Sequence, residues 1–122
     1  MARMPAKHLQ SGREAEDHAR RYLARRGLKL VTRNYRSPYG EIDLIMRERD
    51  MLVFVEVRFR QNTEFGLAAE TVGPRKQARL RATAEHYLMN TKGASDKPCR
   101  FDVVALAGDP TNGSINWYPD AF

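Results

Sequence analysis

Two β-rich runs, Glu41–Arg47 and Met51–Arg60, are separated only by Glu48-Arg49-Asp50, and no other feature restricts the fold of this chain as much. So short a connection predicts an antiparallel hairpin. With the turn centred between Arg49 and Asp50, Ile42 falls opposite Val57, Leu44 opposite Val55 and Met46 opposite Val53. All are apolar, so this face of the hairpin is expected in the core, and a slip by one residue would expose it. The other face sets Asp43 opposite Glu56 and Glu41 opposite Arg58, next to the apolar Ile45 and Phe54. Two carboxylates directly opposite each other repel, which destabilises the pair unless something lies between them. A hard divalent cation such as Mg²⁺, which prefers carboxylate oxygens and water, would relieve that repulsion. Neutralisation by Arg58, Arg60 or solvent is the alternative.

The remaining elements fall on either side of this hairpin. Residues 1–10 read as a flexible leader, and residues 11–122 as one domain. Ser11 to Glu14 has the S-x-x-E form of a capping box and is expected to open a helix carrying Ala15, Ala19, Tyr22 and Leu23 at helical spacing, with Gly27 as its stop. A strand is expected around Leu28–Asn34, followed by a turn at Ser37-Pro38-Tyr39-Gly40. After the hairpin, residues 61–73 read as a loop. Pro74 suits the first turn of a second helix with Leu80, Ala84, Tyr87 and Leu88 on its apolar stripe. A polar linker, Thr91–Lys97, leads to a strand at Arg100–Ala107, and Asn112-Gly113 turns into a last strand at Ser114–Tyr118. The order is αβββαββ, and the passage from the third strand through the second helix to the fourth reads as a parallel crossover, making the sheet mixed.

Charge narrows the function classes. The chain carries 21 Lys+Arg against 15 Asp+Glu, and most of the cations are arginine, which suits bidentate phosphate contacts. Residues 1–40 hold ten cations and three acids, whereas residues 41–75 hold five cations and seven acids. An acidic middle in a basic frame is the pattern of a chain that attracts a polyanion and works on it with carboxylates; a solvated basic helix is the plainer reading. The single cysteine, Cys99, excludes an internal disulfide, and no Cys/His spacing resembles a zinc site. No apolar run is long enough to span a bilayer and the N-terminus has no signal-peptide core, so a cytoplasmic location is expected.

Gly40-Glu41-Ile42-Asp43-Leu44-Ile45, followed by Val53-Phe54-Val55-Glu56-Val57-Arg58, resembles the uncharacterised bacterial YraN-type family, which is similar to Holliday junction resolvases within the PD-(D/E)xK nuclease superfamily. The likeness extends to Gly12–Leu23, Phe65-Gly66, Lys76-Gln77, Arg100-Phe101-Asp102-Val103 and the terminal Ala121-Phe122. It implies a single-domain, restriction-endonuclease-like α/β fold: an αβββαβ core with a mixed β-sheet flanked by helices. It also implies that Asp43, Glu56 and the Val57 carbonyl hold Mg²⁺ or Mn²⁺, and that Glu16 in the first helix assists. Helix geometry alone leaves Glu16 equally suited to an exposed pair with Arg20. The lysine that the superfamily places two residues after its second acid is Arg58 here. Arginine cannot lose its proton in a protein, so it could only stabilise charge or grip phosphate. Lys76 would then be a substitute ammonium, a phosphate contact or an exposed side chain.

The expected activity is Mg²⁺-dependent phosphodiester cleavage of DNA, in particular branched DNA. The alternatives are a nucleic-acid-binding module of the same fold that has lost catalysis, or a protein-interaction domain. Arg20, Arg21, Arg25, Arg60 and Lys76 are the expected phosphate contacts, and a homodimer is expected by analogy with junction resolvases. His8, His18 and His86 stand alone and read as structural, like Tyr22, Tyr87 and Asp102. Cys99 reads as a partly buried thiol, and Tyr39 and Phe65 as loop residues within reach of nucleic acid or of turn packing.

Overall fold

The alternation of Leu44, Met46, Val53 and Val55 with Ile45, Leu52 and Phe54 makes the central hairpin apolar on both sides, so it needs cover on both. The computed structural model, which describes residues 6–60 and 72–122 with side chains from residue 12 onward, supplies it with one helix on each face. The elements in order are α1 (Ala6–Ala24), β1 (Lys29–Ser37), β2 (Gly40–Glu48), β3 (Met51–Arg60), α2 (Pro74–Asn90), β4 (Cys99–Ala107) and β5 (Ser114–Tyr118). They form a five-stranded mixed sheet in the order β1-β2-β3-β4-β5, with β3 and β4 parallel and the other neighbours antiparallel. This is the expected α/β arrangement.

Ala15, Ala19 and Leu23 of α1 pack on Leu44, Met46, Val53, Val55, Val104 and Leu106. Leu80, Ala84 and Tyr87 of α2 pack on the opposite face, against Ile45, Phe54, Phe101 and Val103. Each fully buried Leu, Ile, Val, Met or Phe among them contributes roughly 1.5–3 kcal/mol. Helix α1 spans Ala6–Ala24, so Ser11, expected to open it, lies inside the helix. Ala6, Lys7, Leu9 and Gln10 are good helix formers, and their propensity extends the helix past the capping signal. Its other end is as read: Gly27 takes φ +96°, and the Leu28 N–H returns to the Leu23 carbonyl at 3.1 Å. Cys99, the first residue of β4, is exposed rather than partly buried. Phe65, Gly66 and the His8 side chain lie outside the described residues.

Asp102 on β4 is completely buried (0% exposed) and organises the C-terminal segment. It accepts from Arg100 Nε at 3.0 Å, Trp117 Nε1 at 2.9 Å and the Asp120 backbone N–H at 2.9 Å. Replacing it with alanine leaves the indole and that backbone N–H unpaired and a guanidinium partly so. Asp102→Ala is therefore expected to lower unfolding stability by roughly 3–5 kcal/mol. A urea titration checks this, and an unchanged midpoint would refute it.

Candidate active site

The register summed from the turn holds from Glu48–Met51 up to Leu44–Val55, and there the β2–β3 ladder stops. Beyond that point β2 continues with β1, pairing Ile42 with Tyr35 and Glu41 with Arg36. Strand β3 continues with β4, pairing Glu56 with Val103 and Arg60 with Ala107. The expected pairs Ile42–Val57, Asp43–Glu56 and Glu41–Arg58 are therefore not ladder pairs: the two strands part, and the carboxylates stand at the fork. The Val57 N–H donates to Asp43 Oδ2 at 2.8 Å, so a side chain takes a donor that continued β2–β3 pairing would have used. Strand β2 also turns over here. Leu44 and Met46 face α1, but Ile42 joins Ile45 in the core under α2, which corrects the single-face assignment of Ile42.

The fork opens into a cleft of about 650 Å³ walled by the β1–β2 turn, the ends of β2 and β3, and the first turns of α2. Glu56 is 4% exposed, and the Asp43 carboxyl lies within its field. Burial first, then the Glu56 charge, pushes the Asp43 pKa up to about 8 against the pull of the Val57 N–H. Two cations converge on one oxygen, Glu56 Oε2: Lys76 Nζ at 2.7 Å and Arg58 Nη1 at 3.6 Å. Lys76 thus comes from α2 to the acid beside which the strand carries arginine. Arg60 and Arg79 line the same cleft. Arg79 escaped the sequence reading, although it lies three residues after Lys76 and hence on the same side of the helix.

Glu16 lies on the α1 side, in a depression with Arg13, Asp17, Arg33 and Asn34, and accepts from Asn34 Nδ2 at 3.4 Å. Burial raises its pKa, Arg33 opposes this, and the charges of Glu41 and Glu56 raise it further, so it lies in the field of the pair without lining the cleft. Arg20 pairs with Asp17 at 3.0 Å rather than with Glu16, and Arg21 pairs with Asp17 as well. Their charge is therefore partly compensated, while Arg25 is exposed. Glu41 accepts from Arg36 Nε at 2.7 Å. His18 is buried against the α1-side core, and His86 shares a 2.6 Å hydrogen bond with the Tyr35 hydroxyl.

Among the described residues no three His, Cys, Asp or Glu side chains converge as a metal cage. The donor set at the fork still suits a hard divalent ion. Mg²⁺ is bound through one or two carboxylates plus water and substrate oxygens, and the fork sets two carboxyls side by side, the Glu56 charge opposing ionisation of Asp43. The Val57 carbonyl adjoins Glu56 in sequence. Among the described residues no helix is long and apolar enough to cross a membrane.

Comparison with known proteins places the chain among relatives. The model of the family described as "Uncharacterised protein family UPF0102" matches residues 15–106. A UPF0102 protein of Nitrosococcus oceani is 52% identical over 118 residues, covering 97% of this chain and 95% of the relative. One from Shewanella denitrificans is 46% identical, covering 93% of this chain and 100% of its own length. One from Pseudomonas syringae pv. syringae is 44% identical, covering 93% of both.

Proposed function

This chain belongs to the UPF0102 family, and on that footing we propose that it is a divalent-metal-dependent phosphodiesterase acting on DNA. The observation that carries the reading is the fork itself: a carboxyl pair, buried Glu56 and half-buried Asp43, with Lys76 Nζ 2.7 Å from Glu56, at the base of a cation-lined cleft. Asp43 and Glu56, with the Val57 carbonyl, would hold Mg²⁺ or Mn²⁺, and Glu16 would tune the pair from the α1 side. A divalent ion bound there supplies Lewis acidity toward the phosphate and makes water more acidic. Lys76 orients water beside Glu56, whereas Arg58 stabilises charge developing on the phosphate. Arg60 and Arg79 grip flanking phosphates. The test is cleavage of junction, flap, single-stranded and duplex DNA with Mg²⁺ or Mn²⁺, with Asp43→Asn as the blank. Cleavage by wild type alone is the expected result. DNA binding without cleavage of any substrate would favour the second reading, an idle binding module, which Arg58 at the lysine position supports.

The cleft also makes binding testable by salt. If roughly four phosphates are neutralised, the slope of log affinity against log salt is expected near −3 to −4. Arg60→Ala combined with Arg79→Ala should reduce its magnitude by roughly 2. Arg20→Ala combined with Arg21→Ala should change it less, because Asp17 already balances those charges. A slope near zero for wild type in an anisotropy titration would defeat the nucleic-acid reading.

A further inference from the structure

We propose that Tyr39 is a stacking platform for an unpaired nucleobase, so that the cleft accepts an unpaired nucleotide strand rather than intact duplex; this rests on the reading of the cleft as a nucleic-acid site. Tyr39 is 56% exposed at the tip of the β1–β2 turn, on the wall of the cleft that holds Asp43 and Glu56. A ring so placed has no core to fill. Its backbone, however, is tightly held. The Tyr39 N–H donates to Ser37 Oγ at 3.0 Å, and Ser37 Oγ shares a 3.0 Å hydrogen bond with Thr83 Oγ1, a completely buried hydroxyl of α2. The next residue, Gly40, takes φ +154°, and a Cβ there would lie 3.5 Å from Thr83 Oγ1, so the turn sits directly on the helix. His86 makes an edge contact with the ring, tilted 69° to it with centroids 6.5 Å apart, and is itself anchored by the Tyr35 hydroxyl.

A pre-held aromatic ring beside cations that track a backbone is the composition of sites for unpaired nucleic acid. Every base has a π-face to stack, and paired bases keep theirs inside the helix. Size agrees. A cleft of about 650 Å³ is in the range that encloses a ligand of drug size, comparable to one or two nucleotides and far smaller than a duplex turn. Arg60 and Arg79 on the same cleft would meet the phosphates on either side of the stacked base.

The test uses the full chain in chelator-containing buffer, so that binding is read without cleavage. The probes are a single-stranded oligodeoxynucleotide carrying one 2-aminopurine and the same strand annealed to its complement. Wild type and Tyr39→Phe are expected to prefer the single strand and to quench 2-aminopurine fluorescence. Tyr39→Ala should weaken single-strand affinity roughly 5- to 150-fold, the range of a lost base–aromatic stack, with little change on duplex and no quenching. An equal loss on both probes, or none, would overturn the platform while leaving the nucleic-acid reading standing. Absence of salt-dependent binding to either probe by wild type would overturn both. The selective Tyr39 effect in a protein that cleaves nothing would uphold the platform and count only against catalysis.

Discussion

Asp43→Asn is expected to stabilise the metal-free protein by several kcal/mol near neutral pH and to abolish its stabilisation by divalent metal. The folded Asp43 carboxyl is pushed up to about 8 from an ordinary value of 3.8 by burial and by the charge of Glu56, with Glu16 adding to the effect. Between those values the folded chain holds a proton that the unfolded chain has released. Stability therefore falls as pH rises, by about 1.4 kcal/mol per pH unit for one proton. The contribution is fully present below about pH 4 and lost as pH passes through about 8, a total on the order of 4–6 kcal/mol. Asparagine does not titrate but still offers an oxygen to the Val57 N–H, so this pH slope should vanish in the variant. For wild type, metal at about 100 times its dissociation constant should add roughly 2.7 kcal/mol, a Tm rise of about 10 °C. Because the ion competes with the proton, the rise should be larger at pH 8 than at pH 6. Urea titrations across pH and thermal melts with and without Mg²⁺ measure both effects. A metal shift that persists in both Asp43→Asn and Glu56→Gln would put any ion elsewhere.

Lys76→Ala is expected to reduce metal-dependent DNA cleavage roughly 10²–10³-fold, the scale of one lost electrostatic contact in a transition state. Lys76 Nζ lies 2.7 Å from Glu56 Oε2, nearer than the 3.6 Å of Arg58 Nη1. Removing it takes away the ammonium nearest to Glu56. Lys76→Arg should recover binding but little rate, since a planar guanidinium does not place its charge as a compact ammonium does. Arg58→Ala should also lower the rate, and Arg58→Lys should retain or raise it. If the two positions are alternative sources of one ammonium, Arg58→Lys should partly restore Lys76→Ala. Initial rates for these variants, with Asp43→Asn as the blank, separate the roles. Wild-type cleavage left intact by Lys76→Ala would return the role to Arg58.

Much of the fold is legible in the chain because its signals are local. The interval between Glu48 and Met51 sets a hairpin, and period-two apolar residues from Leu44 to Val55 hold its register. Pro74 and Gly27 mark a helix start and a helix stop. The opposition of Asp43 and Glu56 also follows from this local counting, although the ladder ends one pair before them. Ile42 shows why counting fails there. Alternation assumes that both strands stay paired, and past Leu44 each strand leaves with a different neighbour.

The residues that act on the carboxyl pair could not be read in the same way. Lys76 is twenty residues beyond Glu56 in the chain, and its arrival at Oε2 depends on where α2 docks over Ile45, Phe54 and Phe101. Docking likewise sets Arg79 in the cleft, clamps the Tyr39 turn to Thr83 and brings Glu16 within the field of Glu56 from the other face. The burial of Asp102 beneath Trp117 and Arg100 has no pattern in the neighbouring sequence. Secondary structure, hairpin register and the acidic pair follow from interactions a few residues long, which the sequence itself determined. Which cations, ring and helix surround the pair follows from packing between distant segments, and only the tertiary structure decided it.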